Sequence, residues 1–218
     1  MIFVNFKTYS QGSGQKAVGL AKICQEVAEE RKIPIIPLVQ AFDIYRVFQE
    51  VKIPLWMQHL DWHPQGQYTG WLNLETALAA GAKGTILNHS EHRLPFGTIR
   101  RTIKRIKKTN PQFQVLICCR SLGQAERLVK LKPDFLAYEP PELIGGEISV
   151  SESNPTAITH FVEICGETPA IIGAGIKNKN DVKIGVKLGA KGILVSSHVV
   201  LAENPREVLE DLAEGFLI

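Results

Sequence analysis

Short apolar runs alternate with longer amphipathic stretches along the whole chain. β-Branched and large apolar residues cluster at Ile2–Phe6, Ile35–Val39, Leu55–Gln58, Thr85–Asn88, Gln114–Cys118, Phe135–Tyr138, Ala170–Ile172 and Ile193–Val195. Runs of this length between turn residues predict strands. Several are apolar at consecutive positions, as strands buried on both faces should be. Between them, apolar residues recur at helical spacing over Ala17–Glu30, Phe42–Glu50, Leu72–Ala80, Leu122–Leu131, Ala157–Cys165, Asp181–Leu188 and Pro205–Ala213. Ile99, Ile103 and Ile106 mark one more amphipathic helix after the fourth strand. Each helix carries the chain back to the same end of the sheet, so the alternation predicts parallel strands and an α/β fold.

A repeat points to closure of that sheet. Gly-Ala-Lys-Gly occurs at 81–84 and recurs 108 residues later at 189–192, each time between an amphipathic helix and an apolar strand. That offset is four units of 27 residues, and eight such units fill nearly the whole chain. Gly81 and Gly189 are placed to end their helices in the left-handed conformation, where a side chain costs energy. A doubly wound open sheet is the alternative, but no Gly-x-Gly-x-x-Gly follows the first strand. The expectation is a single (β/α)8 barrel, one domain over residues 1–218.

Charge and composition narrow the class. The formal net charge of +3 is too small to argue for a nucleic-acid partner. The one dense basic run is Arg100, Arg101, Lys104, Arg105, Lys107 and Lys108, which reads as the solvated face of the helix whose apolar side carries the three isoleucines. No apolar stretch approaches the roughly 18 residues that would span a bilayer, and the chain begins in a strand without a basic leader, so a cytoplasmic protein is expected. Cys24, Cys118, Cys119 and Cys165 lack the spacing of a zinc site or redox pair and read as buried thiols.

In a (β/α)8 barrel the chemistry lies at the C-terminal ends of the strands. Those positions hold Asn5 and Lys7, Gln58 and His59, then Asn88, His89, Ser90 and Glu91, and further on Glu139, Gly173-Ala174-Gly175, Ser196 and Ser197. Small-residue turns after the seventh and eighth strands suit a phosphate, which backbone N–H groups can approach closely. A glutamate, a histidine and a lysine beside it suit proton abstraction next to a carbonyl, with Glu139 as base, His89 as proton shuttle and Lys7 offsetting enediolate charge. From these residues alone a phosphosugar isomerase, an aldolase and a binding protein all remain open.

The motifs themselves are more specific. Asn-Phe-Lys-Thr-Tyr at 5–9, Asn-His-Ser-Glu-His-Arg at 88–93, Ala-Tyr-Glu-Pro-Pro-Glu-Leu-Ile-Gly at 137–145, Gly-Ala-Gly-Ile at 173–176 and the strand ending in Ser196-Ser197 resemble, in order and spacing, the triosephosphate isomerases of the short archaeal type. The resemblance implies a TIM barrel that interconverts dihydroxyacetone phosphate and glyceraldehyde 3-phosphate, in glycolysis and gluconeogenesis, without metal or cofactor. It implies Glu139 as base, His89 as neutral electrophile, Lys7 and Asn5 on substrate, and Glu91 as a supporting carboxylate. Ile144, Gly175, Ser196 and Ser197 would contact substrate, mainly its phosphate. Residues 140–147 would form a lid with one hinge stiffened by Pro140 and Pro141. The family further implies a homodimer or homotetramer, with the loop Leu60–Gly70 docking on a neighbouring subunit. Departures are Gly145-Gly146-Glu147, where the family usually has Gly-Thr-Gly, His198 in place of a glycine, and Trp71 in place of a more polar residue. None removes a residue assigned to chemistry. A non-catalytic phosphate-binding paralogue and a Schiff-base aldolase acting through Lys7 are the alternatives.

Overall fold

Alternation within each strand decides which side chain fills the middle of the barrel and which meets the helices. The computed structural model describes residues 1–140 and 154–217. Its strands are β1 (Ile2–Asn5), β2 (Ile35–Val39), β3 (Trp56–Met57), β4 (Gly84–Leu87), β5 (Gln114–Cys119), β6 (Phe135–Tyr138), β7 (Ala170–Gly173) and β8 (Gly192–Val195). All pair in parallel with their sequence neighbours, and β8 pairs with β1, closing the barrel. Register runs from Ile2 opposite Ile35 to Ile171 opposite Gly192. Phe3 points inward while Ile2 and Val4 point outward, as the two-residue period requires.

The interior is a packed core and not a pore. Phe3, Trp56 and Phe135 meet at centroid distances of 5.1, 5.4 and 5.8 Å, two pairs edge-on and one tilted. Leu38, Ile86, Leu116, Cys118, Ala137, Ile171 and Leu194 extend this core. A second and larger apolar layer lies between the strands and the helices, which explains why the strands read as nearly continuous apolar runs.

The helices are α1 (Gly14–Arg31), α2 (Ile44–Phe48), α3 (Leu74–Ala79), α4 (Phe96–Thr109), α5 (Leu122–Leu128), α6 (Pro155–Cys165), α7 (Lys179–Lys187), α8 (Ser197–Val200) and α9 (Pro205–Glu214). Asn73, Ser121, Asn154, Asn178 and Asn204 cap α3, α5, α6, α7 and α9 through their side chains, and α7 has a full capping box with Asp181. Gly81 and Gly189 adopt φ of 95° and 103°, the left-handed exit that the repeat predicts. Packing of α1 on α9 brings the two ends of the chain together, with Arg206 pairing with Glu26, Glu30 and Glu210.

Three expectations shift. β3 is shorter than Leu55–Gln58: Pro54 has no N–H to donate, and Gln58 leaves the ladder to use its side chain elsewhere. Two short elements, the 3-10 turn Ser10–Gly12 and α8, have too few residues to show a period. The basic run on α4 is only partly solvated, because Arg105 pairs with Glu75, Lys107 with Asp134 at 2.6 Å, and Arg101 lies 4.9 Å from the Trp62 ring. All four cysteines are buried and free, as expected. Among the described residues no helix is long and apolar enough to cross a membrane.

Candidate active site

Three non-glycine residues at strand ends hold left-handed backbone: Lys7 (φ 46°) after β1, Asn88 (φ 60°) after β4 and Ala174 (φ 70°) after β7. Such conformations cost roughly 1–2 kcal/mol and persist only where neighbours over-determine them. At Lys7 the neighbours are visible. Its N–H donates to Asn5 Oδ1 at 3.0 Å, and its carbonyl accepts from Gln58 Nε2 at 2.9 Å, the same amide nitrogen that reaches Leu38 O at 3.1 Å. The backbone thus aims the Lys7 ammonium across the barrel mouth, where Nζ lies 2.6 Å from Glu91 Oε1.

Asn88 organises the next loop. Its Nδ2 donates to Cys118 O on β5 at 2.8 Å, and its Oδ1 accepts from Leu94 N at 3.0 Å. This turn presents His89, only 7% exposed, to the barrel axis. His89 Nδ1 accepts the backbone N–H of Glu91 at 3.3 Å. A ring nitrogen that accepts from an amide carries no proton, so the proton of the neutral ring sits on Nε2, facing the barrel mouth. Nε2 lies 3.8 Å from Glu139 Oε2, and Nδ1 is 3.7 Å from Glu91 Oε2.

Glu139 is 5% exposed and follows β6, where its N–H continues the ladder to Cys119 O at 2.9 Å. Among the described residues its Oε2 finds no hydrogen-bond partner, and neither does the buried Ser90 Oγ. An unpartnered carboxylate oxygen in a water-poor place is costly unless a ligand uses it. Room for the side chain comes from Gly173, since a Cβ there would lie 2.8 Å from Glu139 Cγ. Beneath it lies Cys118, whose thiol is pushed well above its ordinary range by burial and, next, by the adjacent Glu139 carboxylate.

The phosphate-type turns sit on the other side of the same cleft. Ala174 and Gly175 (φ 73°) turn the chain sharply after β7. Ser196 Oγ donates to Asn5 O at 2.7 Å, fastening β8 to β1, and Ser197 opens the short α8, whose first N–H groups have no acceptor within the helix. A cavity of about 290 Å³ brings Asn5, Lys7, His89, Glu91, Glu139, Ala174, Ser196 and Ser197 together. His198 is exposed and does not line it. The calls on Ile144, Pro141 and the hinge Gly145-Gly146-Glu147 fall outside the described residues.

The positioning parts of this site were not visible in the sequence. Gln58 and Gly173 act on residues that other strands carry, and only the positive φ of Lys7 and the depth of Glu139 reveal why a glutamine and a glycine stand there. No group of three or more potential metal ligands occurs among the described residues.

Fold and site define a class: a (β/α)8 barrel with a histidine and a buried carboxylate poised over a small polar cleft at the strand ends. The family model for triosephosphate isomerase matches residues 1–214. The chain belongs to the triosephosphate isomerase family. The triosephosphate isomerase of Methanothermobacter thermautotrophicus is 39% identical over 216 residues, which is 97% of this chain and 93% of that protein. That of Methanosarcina acetivorans is 39% identical over 215 residues, covering 97% of this chain and 96% of the relative. The crystal structure of triosephosphate isomerase from Bartonella henselae aligns over 100% of this chain and 98% of that one with a TM-score of 0.76, and at 17% identity it speaks for the fold.

Proposed function

We propose that this chain performs its family's reaction, the interconversion of dihydroxyacetone phosphate and glyceraldehyde 3-phosphate, with Glu139 as the base, His89 as the electrophile and Lys7 as the substrate-binding cation. Glu139 removes a carbon-bound proton and returns it to the neighbouring carbon. His89, neutral with its proton on Nε2, polarises the substrate oxygens and relays a proton between them. Lys7 stabilises the enediolate, Asn5 holds its backbone, and Glu91 orients its ammonium. Gly175, Ser196 and Ser197 bind phosphate through backbone groups. The reaction moves only protons and calls for no cofactor.

The observation that carries this reading is the buried Glu139 oxygen, without a hydrogen-bond partner among the described residues and 3.8 Å from His89 Nε2, in a cleft that Lys7 also lines. The Schiff-base alternative is weaker, because Lys7 is held by a carboxylate at 2.6 Å and not in the apolar pocket that an amine nucleophile needs. The test is turnover of glyceraldehyde 3-phosphate coupled to a dihydroxyacetone-phosphate reductase. Glu139→Gln should lose about 10²- to 10⁴-fold in kcat and still bind a phosphate-bearing inhibitor. Nearly unchanged turnover refutes Glu139 as base; an inactive, folded wild type favours a binding paralogue.

The oligomer belongs to the same reading. Phe42 is 96% exposed, Tyr45 60% and Trp71 51%, all on the side of the barrel formed by α2 and the loop before α3. Exposed aromatics in one area suit a subunit contact. Light scattering on the purified chain should give a homodimer or homotetramer; a monomer at micromolar concentration removes this part.

A further inference from the structure

A tight turn after β8 needs only a small residue, yet position 196 also carries a hydroxyl. Ser196 Oγ donates to Asn5 O at 2.7 Å, a contact between residues 191 positions apart. Strands β1 and β8 are in register from Ile2 opposite Ile193 to Val4 opposite Val195. At the start of this ladder Ile193 N donates to Met1 O at 3.1 Å. A parallel ladder repeats every two residues, so its continuation would give Asn5 O the Ser197 N–H. Pairing stops before that rung. Ser196 has ψ of −98°, far from an extended strand, and the chain turns there into α8. The Ser196 hydroxyl takes the place at Asn5 O, and among the described residues the Ser197 N–H has no acceptor.

Asn5 is 4% exposed, so its carbonyl needs a donor from within the protein. Its side chain is engaged as well, with Oδ1 accepting the Lys7 N–H at 3.0 Å. The turn after β8 and the turn that carries Lys7 are therefore fastened to one residue. Both turns line the cavity of about 290 Å³ that also holds Glu139.

We propose that the Ser196 side chain is a positioning residue for the phosphate end of the substrate: its hydroxyl satisfies the Asn5 carbonyl in place of the Ser197 N–H, and so keeps that N–H free for a phosphate oxygen. This role rests on the reading of Ser196 and Ser197 as the phosphate turn, and gives a side chain a part where that reading uses only backbone. Without the hydroxyl, the donor that the ladder itself would supply to Asn5 O is the Ser197 N–H. Satisfying the buried carbonyl in that way carries the β1–β8 pairing one rung further and draws the amide out of the cleft. The ligand then loses a hydrogen bond to a charged oxygen, the kind worth more than a neutral one. The loss falls on phosphate-bearing ligands, because Glu139 and His89 are held by other contacts.

The experiment compares the wild type with Ser196→Ala and with Ser196→Thr, which keeps the hydroxyl. Affinity for inorganic phosphate is measured by titration calorimetry. The value of kcat/KM is measured for glyceraldehyde 3-phosphate and, by NMR, for glyceraldehyde, which lacks the phosphate. Ser196→Ala should weaken phosphate binding about tenfold and lower the ratio of the two kcat/KM values about tenfold, and Ser196→Thr should recover most of both losses. A merely structural role would lower the two kcat/KM values together and leave their ratio constant. A constant ratio, an unaltered phosphate affinity in Ser196→Ala, or a threonine variant no better than alanine overturns the proposal. A wild type that binds phosphate but turns over neither substrate defeats the isomerase reading alone, and the phosphate affinities of the variants then decide the role of Ser196. A wild type that binds no phosphate overturns both.

Discussion

Replacing Gly173 by alanine asks how tightly the base is held. An added Cβ would sit 2.8 Å from Glu139 Cγ, 3.0 Å from Oε1 and 3.2 Å from Cδ. Ordinary carbon contacts begin near ~3.5 Å, so the carboxyl group must withdraw by about 0.7 Å or more. Gly173 ends β7 without a positive φ, so the backbone accepts alanine and the effect falls on the side chain. A misplacement of roughly 1 Å at a reacting group costs about 10²-fold in rate, whereas overpacking costs only about 1–3 kcal/mol of stability. The coupled isomerase assay should therefore show kcat down about 10²-fold, with KM moving by less than about threefold. Circular dichroism should show an intact fold. If kcat stays within about threefold of wild type in a folded variant, Glu139 is not fixed through Gly173 and the geometric argument for the base fails.

Two further perturbations probe other parts of the same frame. Gln58→Leu removes the donor shared by Lys7 O and Leu38 O, which should lower stability by about 1–3 kcal/mol and raise KM roughly tenfold as the left-handed Lys7 relaxes; an unchanged KM refutes its role. Burial pushes the Cys24 and Cys165 thiols from 9.0 to about 12. Above about pH 9 the unfolded chain releases thiol protons that the folded chain keeps, so this stability is complete below that value. It is lost toward pH ~12, at ~1.4 kcal/mol per pH unit per thiol. Urea midpoints should fall steadily from about pH 9 upward, and a thiol reagent should label none of the four cysteines before unfolding; a flat profile or rapid labelling contradicts this.

What the sequence made legible was whatever depends on local pattern. Eight strands were readable because β-branched runs sit between helical periods, and the chemical end of the barrel followed from reading only the residues after each run. Lys7, His89, Glu91 and Glu139 are found there, lining one cleft. The parts that stayed hidden depend on contacts between distant residues. Gln58 supports a residue 51 positions earlier, and Gly173 makes room for one on the adjacent strand. Within the loop Leu60–Gly70, Trp62 and His63 stack on each other at 4.2 Å, with Tyr68 and Trp71 also against His63 and Arg101 over Trp62. The pairing of Arg101 with that ring could not be inferred from a helical wheel, which shows a face but not its neighbour.

Strain and stability are divided between the two ends of the barrel. Toward the strand beginnings, Phe3, Trp56 and Phe135 form a rigid aromatic core with little polar content, apart from an indole N–H that finds no partner among the described residues. Toward the strand ends stand three left-handed non-glycine residues, and a buried carboxylate oxygen and a buried hydroxyl that both lack hydrogen-bond partners among the described residues. Lys32 and Lys132, the other non-glycine residues with positive φ among those described, cap helical segments, so the strand-end strain has a different setting. Each strained position costs on the order of 1–3 kcal/mol, a sizeable fraction of the net stability of a domain. Only a core that is closed and well packed independently of that end can hold them. The barrel supplies it, because each strand is hydrogen-bonded on both sides before any residue at its end is placed. Preorganised polar groups can then be held ready for charge that develops only when substrate reacts.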